Sequence, residues 1–102
     1  MFLVYSVFRV APENIEGIDH LYRNREHLVD NFEGFISTEA FRTETDPCEF
    51  TLMARWENRQ SYEAYRQSQE FISAHRKMMG LMQKVQVQPG SHSIKYLEYL
   101  AS

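Results

Sequence analysis

Hydrophobic and polar residues alternate with a period of two in four segments of the chain, which is typical of β-strands. These segments cover residues 2–10, 35–44, 49–57 and 93–100. The first segment is largely apolar on both faces, which predicts a central strand buried on two sides. The run Thr45-Asp46-Pro47-Cys48 separates the second and third segments and favours a turn, so we expect these two strands to form a hairpin.

A spacing of three to four residues between apolar positions replaces this alternation after the first strand. It predicts a long amphipathic helix over residues 14–31, with acidic residues early in the segment, where the helix dipole favours them. Glu33-Gly34 is expected to end this helix, because glycine readily adopts the backbone conformation that follows a helix.

Helical spacing returns after the hairpin. Asn58 is a suitable N-cap for a helix whose inward side carries Tyr62 and Tyr65. That helix leads into a second one over residues 70–83, which Gly80 is expected to interrupt near its end. A loop then leads to the last strand.

The predicted order is strand, helix, hairpin, helices and strand, which is the βαββαβ pattern of a ferredoxin-like α+β sandwich. We expect residues 1–102 to form a single domain. Helices cover one face of such a sheet, so the other face, rich in aromatic and aliphatic side chains, needs a cover. Because aromatic residues make up 14% of the chain, we expect a homodimer in which a second copy of the sheet covers this face.

His75 shares the apolar face of the helix over residues 70–83. Its apolar neighbours on that face are Phe71, Ala74, Met78, Met79 and Met82. An imidazole at such a position has two interpretations. Either the ring is packed and hydrogen-bonded in a core or interface, or the surface is a pocket and the ring is a ligand or a base.

Charge and composition exclude several classes of partner. The formal net charge of −3 gives no long-range attraction for nucleic acid or anionic membranes. No apolar run approaches the roughly 20 residues of a membrane-spanning helix, and the N-terminal residues lack the features of a signal peptide. The single cysteine, Cys48, cannot form an internal disulfide. We therefore expect a cytoplasmic protein without a nucleic-acid or membrane partner.

Common catalytic motifs are absent from the sequence. It has no nucleophile elbow, phosphate loop, zinc-site spacing or dinucleotide fingerprint. His20 and His27 lie on the polar side of the first predicted helix without an accompanying carboxylate pattern, so a solvated face explains them better than a metal site. The chemistry that remains is that of an aromatic-lined cavity with one or two titratable groups.

Three short motifs resemble a known family. Glu33-Gly34-Phe35 follows the first helix, Arg55-Trp56-Glu57 closes the third strand, and Ser68 to His75 has the spacing S-x-x-F-x-x-x-H. In these residues the chain resembles the antibiotic biosynthesis monooxygenase (ABM) superfamily of dimeric α+β barrels and, within it, the haem-degrading, IsdG-like monooxygenases. The Gly-Phe and Trp-Glu pairs belong to the whole superfamily, whereas the Phe71/His75 pair is more specific to the haem-binding branch.

The resemblance implies a monooxygenase that opens haem with O₂ and an external reductant, so an electron-donor reductase is a further expected partner. Haem is then both substrate and cofactor, and it lies between the His75 helix and the sheet. His75 is implied to be the axial ligand of the haem iron, with Phe71 in the apolar wall of the site. Basic residues are expected to meet the propionates, first Arg76 or Lys77 and then Arg23 or Arg25.

Two departures from the haem-degrading pattern concern the candidate catalytic residues, Ser6 and Tyr65. Family members have a tryptophan ten residues before the histidine, where it distorts the porphyrin, and this chain has Tyr65 there. They also have an asparagine in the first strand that donates a hydrogen bond near the iron-bound oxygen, and the corresponding residue here is Ser6, whose hydroxyl has a shorter reach. Haem binding is therefore better supported than haem cleavage.

Two alternatives stay open at this point. One is a cofactor-independent ABM monooxygenase that acts on a quinol or polyketide-like aromatic, with His75 as general base. The other is a non-catalytic dimeric domain that binds a small ligand.

Overall fold

Four strands and three helices make up the computed structural model, which describes residues 1–24, 29–84 and 86–102. In chain order they are β1 (Phe2–Arg9), α1 (Ile15–Arg23), β2 (Phe35–Thr43), β3 (Asp46–Trp56), α2 (Arg59–Arg66), α3 (Gln69–Lys84) and β4 (Ser93–Glu98). A 3₁₀ turn over Pro12–Asn14 precedes α1. The strands form one antiparallel sheet in the order β2-β3-β1-β4. The predicted ferredoxin-like α+β fold is confirmed.

The helices cover one face of the sheet and bury two clusters of side chains against it. The first cluster contains Phe8, Val10, Ile18, Tyr22 and Phe50. The second contains Phe2, Val4 and Trp56, against which Val29, Phe32, Phe35, Ala54, Tyr62 and Tyr65 pack. Side chains alternate between the faces of a strand, so Ser6 lies on the helix side of β1 between Val4 and Phe8. Ser6 therefore sits where the two clusters meet.

A close approach of α2 to the start of β2 explains the Gly-Phe and Trp-Glu pairs. Gly34 has a φ of +85°, and a Cβ at this position would collide with the side chain of Ser61 in α2. The backbone N–H of Glu57 donates to the carbonyl of Gly34 at 2.8 Å. Phe35 then packs edge-on against Trp56, with ring centroids 5.4 Å apart. The two pairs thus form the joint that seats α2 on the sheet.

The first helix is shorter than the predicted span of residues 14–31. It ends at Arg23, where the side-chain amide of Asn24 donates to the carbonyl of His20 at 2.8 Å and so shares the carbonyl that accepts the helical bond from the backbone N–H of Asn24 at 3.1 Å. An asparagine side chain that competes for a backbone carbonyl in this way favours a helix end. Residues 29–34 form turns and a bend. Arg25 and His27, two of the residues considered above, lie outside the described residues.

The hairpin turn and the course of α3 also differ from the prediction. The turn is Glu44-Thr45, and β3 begins already at Asp46, which pairs with Thr43 and forms an ion pair with Arg9. Gly80 does not interrupt α3, which continues to Lys84. A glycine inside a helix opposes it by only about 1 kcal/mol, and its neighbours in the helix outweigh that.

No described residue outside the sheet is seen to cover its second face. It carries the apolar or aromatic side chains of Leu3, Tyr5, Val7, Phe41, Met53 and Leu97. Phe41 is 46% exposed and Leu97 is 39% exposed. The prediction that β1 is buried on two sides therefore holds for its helix side only, because its other face is half-buried in this chain. No helix in the described ranges is long and apolar enough to cross a membrane.

Candidate functional site

The junction between α2 and α3 places the side chains of the S-x-x-F-x-x-x-H motif. The hydroxyl of Ser68 donates to the carbonyl of Tyr65 at 2.6 Å and accepts from the backbone N–H of Phe71 at 3.1 Å. Ser68 is thus the N-cap of α3, which begins at the next residue. By linking the end of α2 to the first turn of α3, it fixes the position of Phe71.

Phe71 is the aromatic ring around which the candidate site is built. The ring of His75 stacks on it, with centroids 5.3 Å apart and an angle of 23° between the planes. Tyr65 meets it edge-on at 5.3 Å. The guanidinium carbon of Arg66 lies 5.1 Å from the Phe71 centroid, within the range of a cation–π interaction. One phenyl ring therefore contacts a tyrosine, an imidazole and a guanidinium.

His75 is exposed, and its ring makes no hydrogen bond within the described part of the chain. It borders a half-buried stripe of α3 that contains Phe71, Ala74 and Met78. This placement differs from that of a core histidine whose two nitrogens are hydrogen-bonded. An imidazole in this position has its ring nitrogens available to a ligand or a substrate.

The helix side of the sheet is left exposed along β4, where Ile94 and Tyr96 lie. The first turn of α3 lies beside the second cluster, because Phe71 contacts Tyr65. Near the end of the helix, Met82 packs against the first cluster. The helix therefore passes the stretch of β1 that holds Ser6. Ile94 pairs with Ser6 across β1 and β4. Ile94 remains 44% exposed although it lies on the helix side of the sheet. We name the exposed surface between α3 and β4 the α3–β4 cleft and define it by Ser6, Ile94 and Tyr96 on the sheet and by Phe71 and His75 on α3.

Tyr65 belongs to the aromatic cluster behind the cleft. Its ring lies 5.2 Å from that of Trp56 and 5.3 Å from that of Phe32. Burial raises the pKa of its hydroxyl, and Tyr62 and Glu70 raise it further. Tyr65 thus contacts three aromatic rings, those of Trp56, Phe32 and Phe71, and helps to hold Phe71 in place.

The basic residues considered as propionate partners have different surroundings. Arg76 and Lys77 are exposed and directly follow His75. Arg23 lies on α1 and is paired with Asp19 at 2.9 Å. No group of three or more histidine, cysteine or acidic side chains in the described structure could hold a metal ion.

Sequence analysis did not predict three polar residues near the cleft as site residues: Arg66, Tyr62 and Tyr96. Arg66 donates to the hydroxyl of Tyr62 at 3.1 Å, and Tyr62 packs against Tyr96 with ring centroids 5.9 Å apart. The four-residue spacing of Tyr62 and Arg66 on α2 is the signal that predicts their contact. The proximity of Tyr96, which lies on the last strand, could not be inferred from that spacing.

Comparisons with known proteins identify the family from a sequence model and the fold from solved structures. The antibiotic biosynthesis monooxygenase family model matches residues 1–77. No curated protein sequence matches the chain significantly. The solved structures similar to this chain share little sequence identity with it, so these likenesses concern the fold.

Three such structures illustrate the match. A Deinococcus radiodurans protein assigned to the antibiotic biosynthesis monooxygenases has a TM-score of 0.74 at 12% identity, over 100% of this chain and 95% of its own. A Bordetella bronchiseptica protein with the same assignment has a TM-score of 0.73 at 15% identity, over 98% and 97%. A variant of SnoaB, a cofactor-independent oxygenase from Streptomyces nogalater, has a TM-score of 0.71 at 10% identity, over 99% and 94%. With the family model matching most of its length, this chain belongs to the antibiotic biosynthesis monooxygenase family.

Proposed function

We propose that this protein is a haem-binding monooxygenase in which His75 ligates the haem iron. The observation that carries the proposal is the exposed imidazole of His75, which stacks on Phe71 beside the open α3–β4 cleft. A neutral imidazole is a common ligand of haem iron, and its orientation is fixed by the groups that surround it. Here the stacking on Phe71 supplies that orientation.

The residues around the cleft suit a flat, apolar ligand with acidic edges. Phe71, Ala74 and Met78 form a half-buried apolar wall on α3. Arg76 and Lys77 are exposed next to His75, where they can pair with propionates. When bound, haem supplies both the iron that activates O₂ and the carbon skeleton that is oxidised. Electrons come from an external reductant.

Ser6 and Tyr65 are the residues of this chain that we propose to act in cleavage. Ser6 lies across the cleft from α3, where its hydroxyl can donate a hydrogen bond toward the ligand. Tyr65 holds Phe71, and through it His75, in place by ring contacts. Ser6 would act on the ligand directly, whereas Tyr65 would act through the position of Phe71 and His75.

The first experiment is a titration of the apoprotein with haemin, followed by absorption spectroscopy. Wild-type protein is expected to give a shifted Soret band, and His75→Ala is expected to weaken binding at least tenfold. His20→Ala is the matched control, because His20 is also exposed but lies on α1. A Soret shift that survives His75→Ala would contradict the ligand role. Bleaching of the bound haem with ascorbate under air then reports on cleavage.

A second candidate function is cofactor-independent oxygenation of a quinol or a polyketide-like aromatic. It is supported by the likeness of the fold to SnoaB and by the position of Tyr65, which is packed against Trp56 and Phe32. His75 would then remove a proton from a phenolic hydroxyl as general base. Oxygen uptake with a panel of quinols tests this function. Absence of uptake with every quinol argues against the function, and uptake that persists in His75→Ala argues against His75 as its general base.

Both functions are proposed for a homodimer in the cytoplasm. The uncovered face of the sheet supports the dimer, because Phe41 and Leu97 stay exposed there in the single chain. Two ion pairs border this face, Arg55 with Glu39 at 2.9 Å and Arg9 with Asp46. Since these charges are already paired within the chain, a second copy can cover the face without leaving them unpaired.

A further inference from the structure

We propose that Arg66, together with the hydroxyls of Tyr62 and Tyr96, binds the acidic group of a planar aromatic ligand in the α3–β4 cleft. The inference deepens the proposed function, on which it rests for the location of the ligand. It names the substrate class as aromatic acids, which include a haem propionate and the carboxylate of another aromatic compound. It adds Arg66 to Arg76 and Lys77 as a residue that binds such an acidic group.

The position of Arg66 beside the cleft comes from its contacts. Its guanidinium carbon lies 5.1 Å from the centroid of Phe71 and 5.8 Å from that of Tyr62. These two rings belong to or adjoin the α3–β4 cleft, because Phe71 stacks on His75 and Tyr62 packs against Tyr96. The cation and the imidazole thus share one aromatic neighbour.

The charge of Arg66 is not matched by any described carboxylate, whereas five other arginines are paired. In the described structure the arginines that pair with an aspartate or glutamate are Arg9, Arg23, Arg42, Arg55 and Arg59. Arg66 instead donates to the phenolic oxygen of Tyr62 at 3.1 Å, and no described carboxylate forms an ion pair with it. A guanidinium that lies on aromatic rings keeps in-plane N–H donors for a carboxylate, which it binds in a bidentate manner.

The hydroxyls of Tyr62 and Tyr96 are the other hydrogen-bond donors of the proposed site. Hydrogen bonding to Tyr62 is the largest cause that raises the pKa of Arg66, and Tyr96 adds to it. Burial raises the pKa of the Tyr62 hydroxyl, so this group stays protonated at neutral pH. Tyr96 is 46% exposed, and its ring stacks on Phe2 with centroids 5.9 Å apart. A cation and two hydroxyls beside the aromatic rings of Phe71 and Tyr62 favour an anionic group on an aromatic body.

The test compares two fluorescent probes that differ in charge. The anionic probe is 1-anilinonaphthalene-8-sulfonate, and the neutral one is N-phenyl-1-naphthylamine, which has the same aromatic skeleton. We expect Arg66→Gln to raise the Kd of the anionic probe about tenfold, as for the loss of a charge-assisted bidentate contact, and to change that of the neutral probe less than twofold. Arg66→Lys is expected to recover part of the difference, because it keeps the charge and loses the planar fork.

Arg59→Gln is the matched control. Arg59 lies on the same helix and also sits over an aromatic ring, that of Phe2 at 5.6 Å, but it is paired with Glu63 at 2.9 Å. We expect this variant to bind both probes as the wild type does. If Arg66→Gln leaves the Kd of the anionic probe unchanged, or weakens both probes equally, the proposed acid-binding site is wrong.

A parallel titration with haemin and its dimethyl ester separates this inference from the proposed function. If Arg66→Gln weakens haemin but not the ester, the acidic group is a propionate. If haemin does not bind, while the anionic probe still depends on Arg66, haem binding fails and the acid site stands for another aromatic acid. If haemin binds through His75 and neither ligand responds to Arg66→Gln, the acid site fails and haem binding stands.

Discussion

At the scale of single residues, the space around a glycine decides whether its replacement by alanine raises or lowers the free energy of unfolding. Gly34 combines a φ of +85° with close contact to Ser61, whereas nothing lies within 4 Å of the place where a Cβ would stand on Gly80. We expect Gly34→Ala to lower the free energy of unfolding by about 2–4 kcal/mol, through backbone strain and overpacking. Gly80→Ala is expected to raise it by up to about 1 kcal/mol, because alanine is the better helix former.

Urea denaturation of the two variants and the wild type measures both effects. Equal stability of Gly34→Ala and wild type would mean that α2 can move away from the start of β2. It would contradict the joint described for Gly34 and Ser61.

At the scale of elements, the N-cap of α3 contacts the candidate site, whereas the N-cap of α2 does not. The side chain of Asn58 accepts from the backbone N–H of Ser61 and caps α2 at 2.8 Å. Ser68 caps α3 through Phe71. We expect Asn58→Ala and Ser68→Ala each to lower the free energy of unfolding by about 1 kcal/mol. Only Ser68→Ala is expected to weaken haemin binding as well, because it releases Phe71 and the ring of His75 that stacks on it.

Thermal melts and haemin titrations of the same two variants check this division. Loss of haemin affinity in both variants by the same factor would show that general helix stability, and not the position of Phe71, governs binding. The Ser68 cap would then have no special relation to the site.

At the scale of the whole molecule, the uncovered face of the sheet governs association. Phe41 is 46% exposed on this face, so Phe41→Asp removes no core contact and places a charge where the second copy is proposed to pack. We expect this variant to be a monomer of 12.1 kDa and the wild type to have twice that mass, because an unpaired charge in an interface is strongly unfavourable. Light scattering at micromolar protein measures both masses.

Ile72→Asp is the control for this experiment. Ile72 is 44% exposed but lies on α3, on the other side of the molecule. Its substitution is expected to leave the mass unchanged. A monomeric wild type, or a dimer that persists in Phe41→Asp, would contradict the proposal that this face joins two copies.

The pattern of the chain was sufficient to predict the fold class, the four strands and the motif residues. Alternation in residues 2–10 and helical spacing around His75 are local properties, and each depends only on neighbours a few positions away. The motif from Ser68 to His75 is local as well, since a cap and its helix lie within one stretch of chain. These parts of the candidate site could therefore be predicted from the sequence.

Tertiary structure decided what depends on residues far apart in the chain. The hairpin turn lies at Glu44-Thr45, and not at residues 45–48 as predicted. β3 begins at Asp46, which forms an ion pair with Arg9 of β1. Arg66 is a candidate site residue because it lies over Phe71 and donates to Tyr62, which packs against Tyr96 of the last strand. The sequence alone determined that a histidine stands on an apolar helix face beside Phe71. The packing of α3 decided that its ring is exposed beside a cleft, because the space that helices leave above a sheet depends on contacts no local pattern encodes.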